Sequence, residues 1–272
     1  MIESLTDMFS YSFIVRAVLG GIVISLCAAL LGVSLVLKRY SMIGDGLSHV
    51  GFGAVAVASV LNLAPLAVAV PVVIVAAFLL LRIGTSGSVK GDAAVAMVSA
   101  SSLAAGVIAV SVKQGVNTDF YSYMFGTILG MSRTDVIISF CISVPVLLLY
   151  ILFYNRIFAV TFDETFSRAT GVKCGAYNAV IAVLTALTIV LGMRLMGALL
   201  ISSLVIFPPL TSMRVCGNFK SVVLCSAAVS VVCFFVGMYL SVLFSLPAGA
   251  SIVAVNLVMF CIFSVVGKAL GR

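Results

Sequence analysis

Charged residues are scarce in this sequence. Asp, Glu, Lys and Arg make up 8% of its 272 residues, whereas 63% are hydrophobic. A soluble domain carries about a quarter charged residues, so the chain has too little polar surface to cover a water-soluble body of this length. The apolar runs recur along the whole chain and lack the alternation of a membrane β-barrel, whose segments are about 10 residues long. The sequence therefore predicts an all-α polytopic membrane protein, because each helix satisfies its own backbone hydrogen bonds in lipid.

Several catalytic and nucleotide-binding patterns are also missing. The sequence contains no GxxxxGK[ST], GxSxG or HExxH motif, so it predicts neither ATP hydrolysis by a P-loop nor the corresponding hydrolase chemistries. The single histidine argues against an intramembrane protease that uses paired histidines. None of the seven cysteines forms a CxxC pair, and we expect them to be apolar span residues or reduced thiols. The net charge of +7 does not indicate nucleic acid, because Lys and Arg mark the cytoplasmic loops of membrane proteins.

The apolar runs predict about nine transmembrane helices in a single domain over residues 1–272. A bilayer core of about 30 Å requires about 20 helical residues. The division at Gly192–Arg194 is the least marked, and residues 176–213 can also be read as one broken, re-entrant unit. The predicted spans are 12–37, 43–61, 65–82, 92–112, 133–154, 176–193, 195–213, 220–244 and 249–267. The segment 113–132 between two spans predicts an interfacial or re-entrant helix anchored by Tyr121 and Tyr123.

The distribution of basic residues predicts the orientation of these spans. With the N-terminus outside and the C-terminus inside, 11 of the 15 Lys and Arg residues fall on the inner side. Only Lys113, Arg133 and Arg194 lie in outer segments, and Arg16 lies near the outer end of the first span. Cytoplasmic loops of membrane proteins carry such an excess of positive charge, so the sequence favours an N-out, C-in topology.

The stretch "RYSMIGDGLSHVGFG" places Asp45 and the only histidine, His49, four residues apart near the start of an apolar span. Residues at this spacing share one face of a helix. Ionisable residues inside a span are costly, and they tend to face a protein interior or a water path. Carboxylate and imidazole groups both bind divalent transition metals, so the pair predicts an open metal transit site. Equally, Asp45 could cap the helix while His49 makes a structural hydrogen bond.

The predicted inner loop at about 156–175 contains the second informative stretch, "VTFDETFSRATGVK" at 160–173. It predicts a short amphipathic helix that ends at Gly171 in a C-cap. Such a helix could dock a soluble partner, and a solvated connector is the simpler alternative. The candidate docking residues are Asp163, Glu164, Phe166, Arg168, Ala169 and Gly171.

Four stretches, in this order, resemble the membrane permease subunit of bacterial ABC importers for zinc, manganese or ferrous iron. They are "RYSMIGDGLSHVGFGAVAV", "DFYSYMFGTILGMSRTDV", "LTALTIVLGMRLMGALLISSLVIFPPLTS" and "LPAGASIV", and the resemblance covers nearly the whole chain.

The resemblance implies a homodimeric permease in the bacterial cytoplasmic (inner) membrane, surrounded by lipid. Two ATPase chains on the cytoplasmic side and an extracytoplasmic metal-binding protein would be its partners, and no cofactor would be bound permanently. Asp45 and His49 match the family's metal-pathway positions, and residues 160–173 match its coupling helix. Some zinc-type members carry a further histidine near the fourth span, where this chain has Ser99.

Two other functions are compatible with the same architecture. One is a permease for a metal chelate of the siderophore or cobalamin type, which would have no need for an intramembrane Asp–His pair. The other is a stand-alone secondary transporter or channel. The residues do not decide between zinc and manganese, and the late segment weakly favours zinc.

The topology can be tested by cysteine accessibility in a cysteine-free background. Cysteines introduced at Asn62 and Asn117 should react with an impermeant reagent from outside, and those at Lys90 and Asn218 should be protected. Labelling of position 90 from outside would contradict the N-out orientation.

Overall fold

The structure is a computed structural model, and it describes residues 11–86, 91–112, 126 and 131–271. Within these ranges the chain forms eleven α-helices, which confirms the predicted all-α class. The predicted helix anchored by Tyr121 and Tyr123 lies outside the described residues. The helices are α1 (Ser12–Leu37), α2 (Ile43–Val60), α3 (Pro65–Ser86), α4 (Gly91–Val112), α5 (Arg133–Leu152), α6 (Tyr154–Phe162), α7 (Glu164–Ala169), α8 (Cys174–Met196), α9 (Ala198–Met213), α10 (Phe219–Phe244) and α11 (Ala248–Ala269).

Eight of these helices are long and apolar enough to cross a bilayer. They are α1 to α5, α8, α10 and α11, so the chain is a multi-pass membrane protein. The remaining predicted span, the seventh (195–213), corresponds to α9. This helix has 16 residues, fewer than the roughly 20 that a perpendicular crossing requires. A count of nine therefore stays a prediction.

The boundary between the sixth and seventh predicted spans is wrong by several residues. Gly192 and Arg194 both lie inside α8, and the chain breaks at Gly197 instead. Gly197 has φ 90° and ψ 157°, a conformation that residues with a Cβ rarely adopt. After this break α9 packs back on α8, where a Cβ added to Gly192 would clash with the side chain of Ile201.

Polar contacts gather the helix ends into two opposite groups. At one end the Lys38 ammonium, just after α1, donates a hydrogen bond to Asn178 near the start of α8. Aromatic rings of α6 and α10 also meet at this end. At the other end the Arg194 guanidinium lies 3.2 Å from the Asp135 carboxylate at the start of α5. The charge distribution likewise assigns Lys38 and Arg194 to opposite sides, although the orientation itself stays a prediction.

Serine hydroxyls join the long helices α1 and α10 in the buried interior. Ser230 Oγ donates to the Ser25 carbonyl at 3.0 Å, and Ser226 Oγ donates to the Ala29 carbonyl at 3.3 Å. All four residues are buried. Because small side chains let helix backbones approach closely in membranes, these contacts hold the middle of α1 against α10.

Gly32 tests how closely α1 approaches α9. A Cβ at Gly32 would clash with the backbone carbonyl of Val205, which cannot move without shifting α9. We expect Gly32→Ala to destabilise the chain by about 1–3 kcal/mol, the usual cost of overpacking, and to lower the midpoint of thermal unfolding. Gly175→Ala is the matched control, because nothing lies within 4 Å of an added Cβ there. An equal loss in both variants would contradict the close α1–α9 contact.

Candidate metal pathway and docking segment

Asp45 and His49 lie in the first two turns of α2 and point the same way. The distance between His49 Nε2 and Asp45 Oδ2 is 3.6 Å. The His49 side chain is 24% exposed and the Asp45 side chain is 42% exposed, although most residues of α2 are buried. The two side chains therefore face an open part of the helix surface, where a cation could reach both.

The alternative role of Asp45 as a helix cap is not what the structure shows. The N-cap residue of α2 is Met42, and no side chain caps the helix. Ser48 Oγ donates a hydrogen bond to the backbone carbonyl of Asp45 at 2.7 Å, and not to its carboxylate. Asp45 still lies in the first turn, where a negative charge is favourable near the positive end of the helix dipole.

The face of α2 that carries the pair is closed further along the helix. Phe52 and Ala56 continue this face, and they are only 7% and 0% exposed. Helix α4 covers them, and a Cβ added to Gly53 would clash with the carbonyl of Ser102. Gly53 thus permits close packing of α2 against α4. The open surface at Asp45 and His49 ends where α2 and α4 meet.

In one copy of the chain, the pair offers a metal ion two donor side chains, those of Asp45 and His49. Among the described residues, no group of three or more His, Cys, Asp or Glu side chains could hold a metal ion. Two donors leave a divalent ion with open coordination positions, which water or a second chain would have to fill.

The predicted docking helix over 160–173 is shorter in the structure and is preceded by a separate helix. Helix α6 continues to Phe162, and α7 begins only at Glu164. The residue between them, Asp163, has extended backbone angles of φ −146° and ψ 95°. Its carboxylate accepts a hydrogen bond from the Phe166 backbone N–H at 2.8 Å. This N-cap favours the break, because Asp side chains compete with helix hydrogen bonds and favour cap positions.

The end of α7 agrees with the prediction of a C-cap at Gly171. Gly171 has φ 83°, and its N–H donates to the Arg168 carbonyl at 3.1 Å. The next N–H, that of Val172, donates to the Ser167 carbonyl at 2.9 Å. This pair of bonds is the Schellman arrangement, which a glycine in the left-handed region accommodates without strain.

The docking candidates differ in where their side chains point. Phe166 is 66% exposed, and the Arg168 side chain is also largely exposed. Glu164 faces inward, with its Oε1 atom 3.0 Å from Arg168 Nη2 and its Oε2 atom 3.2 Å from Asn178 Nδ2. No sequence pattern singles out Asn178, an amide near the start of an apolar helix.

Comparison with known proteins decides the family. Residues 10–267 match the ABC 3 transport family. The chain belongs to this family. The manganese transport system membrane protein MntC of Halalkalibacterium halodurans is 28% identical over 257 residues, which cover 94% of this chain and 88% of that protein. The high-affinity zinc uptake system membrane protein ZnuB of Haemophilus influenzae is 29% identical over 250 residues, 92% of this chain and 96% of that protein.

Two solved structures share the fold. PsaBC from Streptococcus pneumoniae in complex with Fab has a TM-score of 0.85 and 28% identity, and the match covers 97% of this chain and 95% of that chain. An inward-facing conformation of a metal-chelate type ABC transporter has a TM-score of 0.73 at 13% identity, with 92% and 85% covered. At that identity the second likeness concerns the fold alone.

Proposed function

We propose that this chain is the permease subunit of an ATP-driven importer for a divalent transition metal ion. The observation that carries the proposal is the Asp45–His49 pair, which presents a carboxylate and an imidazole on one open face of a membrane helix. The relatives named for manganese transport and for zinc uptake support it. The cargo is a substrate in transit, and no resident cofactor is proposed.

The donor types restrict the cargo to a class of metals. One carboxylate and one imidazole suit zinc, manganese and ferrous iron, whereas an all-oxygen site would suit calcium or magnesium. Zinc remains our preferred cargo, on the weak basis of the late segment, although Ser99 stands where some zinc-type members have a histidine. Intrinsic affinity would also rank zinc above manganese at such a site.

The assembly we propose contains two copies of the permease in the bacterial inner membrane. A second copy would complete what a single chain lacks, since two donors do not enclose a divalent ion. Metal would arrive from an extracytoplasmic metal-binding protein. ATP would be hydrolysed by a separate cytoplasmic subunit, because the sequence has no P-loop motif. Helix α7 would dock that subunit through its exposed side, which includes Phe166 and Arg168.

Two alternatives make different demands on the molecule. A permease for a metal chelate carries its metal already enclosed, so Asp45 and His49 would serve no purpose there. A stand-alone transporter would need no docking helix, and it would purify without an ATPase. Co-purification of an ATPase excludes the second alternative, and transport of the free ion excludes the first.

The cap of α7 provides a test of the docking segment. Asp163→Ala removes the hydrogen bond to the Phe166 N–H and should cost the helix about 1 kcal/mol. We expect ATPase binding to weaken about fivefold, the factor that this energy represents. Asp163→Asn is the matched control, because an asparagine keeps the cap and loses the charge. Equal weakening in both variants would show that the charge, and not the folded helix, is recognised.

The metal pair is tested by uptake of zinc and manganese per assembled complex. Loss of a metal's outer-shell partner typically costs about 10–100-fold in affinity or activity, so loss of a ligand should cost at least as much. We therefore expect Asp45→Asn and His49→Ala to reduce uptake about tenfold or more while the complex still assembles.

Ser48→Ala is the matched control for this experiment. Ser48 lies beside His49 on a buried face, and among the described residues its hydroxyl bonds to the Asp45 backbone carbonyl alone. It should change stability without changing uptake per complex. If the Asp45 and His49 variants behave like this control, the pair has a structural role and the metal pathway lies elsewhere.

A further inference from the structure

A chain of four side chains connects the docking segment to the end of α1. Arg168 Nη2 lies 3.0 Å from Glu164 Oε1, and Asn178 Nδ2 lies 3.2 Å from Glu164 Oε2. The Lys38 ammonium donates to Asn178 Oδ1. Residues of α7, of α8 and of the C-terminus of α1 thus form one continuous polar network.

Asn178 can bridge this network in only one orientation. Its amide nitrogen donates to a carboxylate, and its oxygen accepts from an ammonium group, so a flipped amide would meet a like partner on both sides. Lys38 is half-buried, and its ammonium group therefore depends on the hydrogen bond to Asn178. Burial lowers the pKa of Lys38, and the Glu164 carboxylate raises it by a smaller amount. A partly desolvated cation needs such polar partners to remain charged.

The network runs beside a cavity of about 540 Å³. The cavity is bordered by Tyr40 and Leu81, by Thr161 of α6, and by Lys38, Glu164 and Arg168 of the network itself. Because this cavity lies between α3 and the docking segment, α7 is not closely packed against α3. The hydrogen bond between Glu164 and Asn178 instead links α7 directly to the membrane helix α8.

The other end of the network leads to α2 through a short, fixed turn. Arg39 has φ 63°, its N–H donates to the Val36 carbonyl, and the Tyr40 N–H donates to the Leu35 carbonyl. The Tyr40 carbonyl in turn accepts from the N–H of Ile43, the first residue of α2. Backbone hydrogen bonds on both sides of the turn thus connect the end of α1 to the first residue of α2.

We propose that Lys38 and Asn178 are positioning residues, which transmit movement of the docking segment through the α1–α2 turn to Asp45 and His49. Glu164 then acts inward on Asn178 rather than outward on a partner. The inference rests on the proposed function, because movement of α7 would come from the ATPase and its effect would be on the metal pathway.

The test uses the reconstituted complex of permease and ATPase and measures metal imported per ATP hydrolysed. Asn178→Leu removes both amide bonds at similar volume, and Lys38→Met keeps the aliphatic stem without the charge. Couplings between distant sites typically amount to about 5–150-fold, so each variant should lower the ratio about fivefold or more while ATP hydrolysis continues. The double variant should lose no more than the worse single variant, because both break the same network.

Two further variants separate this role from general effects of charge. Lys38→Arg should keep most of the wild-type ratio of metal imported to ATP hydrolysed, since a guanidinium can also donate to Asn178. Lys220→Met is the matched control, because Lys220 is exposed at the start of α10, at the same end of the molecule and outside the docking segment. Lower yield with an unchanged ratio in the network variants, or an equal loss in Lys220→Met, would overturn the proposal.

Hydrogen exchange provides a readout that does not depend on the cargo. Addition of the ATPase should alter the exchange of the 38–43 backbone amides in the wild-type chain, and Asn178→Leu should abolish this response. If the wild-type complex imports no metal, the proposed function fails. The hydrogen-exchange response then tests the role of the network by itself. A response that persists in Asn178→Leu overturns the network's role.

Discussion

Lipid offers no partner for a polar group, and this constraint determines where the few charges of the chain can lie. Backbone groups are satisfied within helices, so each span is a helix. The Asp135 carboxylate meets the Arg194 guanidinium at one end of the molecule, and Glu164 meets Arg168 and Asn178 at the other. Asp45 and His49 depart from this arrangement, because they are partly exposed on a span and, in the part of the chain that the structure describes, each has the other as its ionisable partner at 3.6 Å. An ionisable residue inside a membrane helix is by default a functional-site hypothesis, and this supports the proposed metal pathway.

The same constraint explains which elements the sequence could predict. The first span was predicted as 12–37, and α1 runs from Ser12 to Leu37, because an apolar run bounded by Lys38 is a local signal. The division at Gly192–Arg194 failed because Arg194 resembled a loop residue. Its guanidinium instead pairs with Asp135, almost sixty residues earlier in the chain, and so the helix continues to Gly197. A partner so distant leaves no mark in the sequence around Arg194.

The candidate site shows a similar division between local and distant contacts. Asp45 and His49 are four residues apart, and Gly171 closes the helix that immediately precedes it, so spacing and residue type predicted their geometry. Asn178 was missed because its partners lie 140 and 14 residues away, at Lys38 and Glu164. An asparagine in an apolar helix has no periodicity that indicates a bridging role. The extra break at Asp163 was also missed, since a capping aspartate was read as part of one helix.

The position of the pair sets a condition on any cation that passes it. Asp45 and His49 are open to one side, but the next turns of the same face, at Phe52 and Ala56, are buried under α4. Gly53 lies so close to the Ser102 carbonyl that even a methyl group would not fit between the helices. On the proposed function, a cation crosses this point only when α2 moves relative to α4. The start of α2 follows the bonded turn after Lys38, so the end of α2 nearest the metal pair is also the end nearest the docking segment.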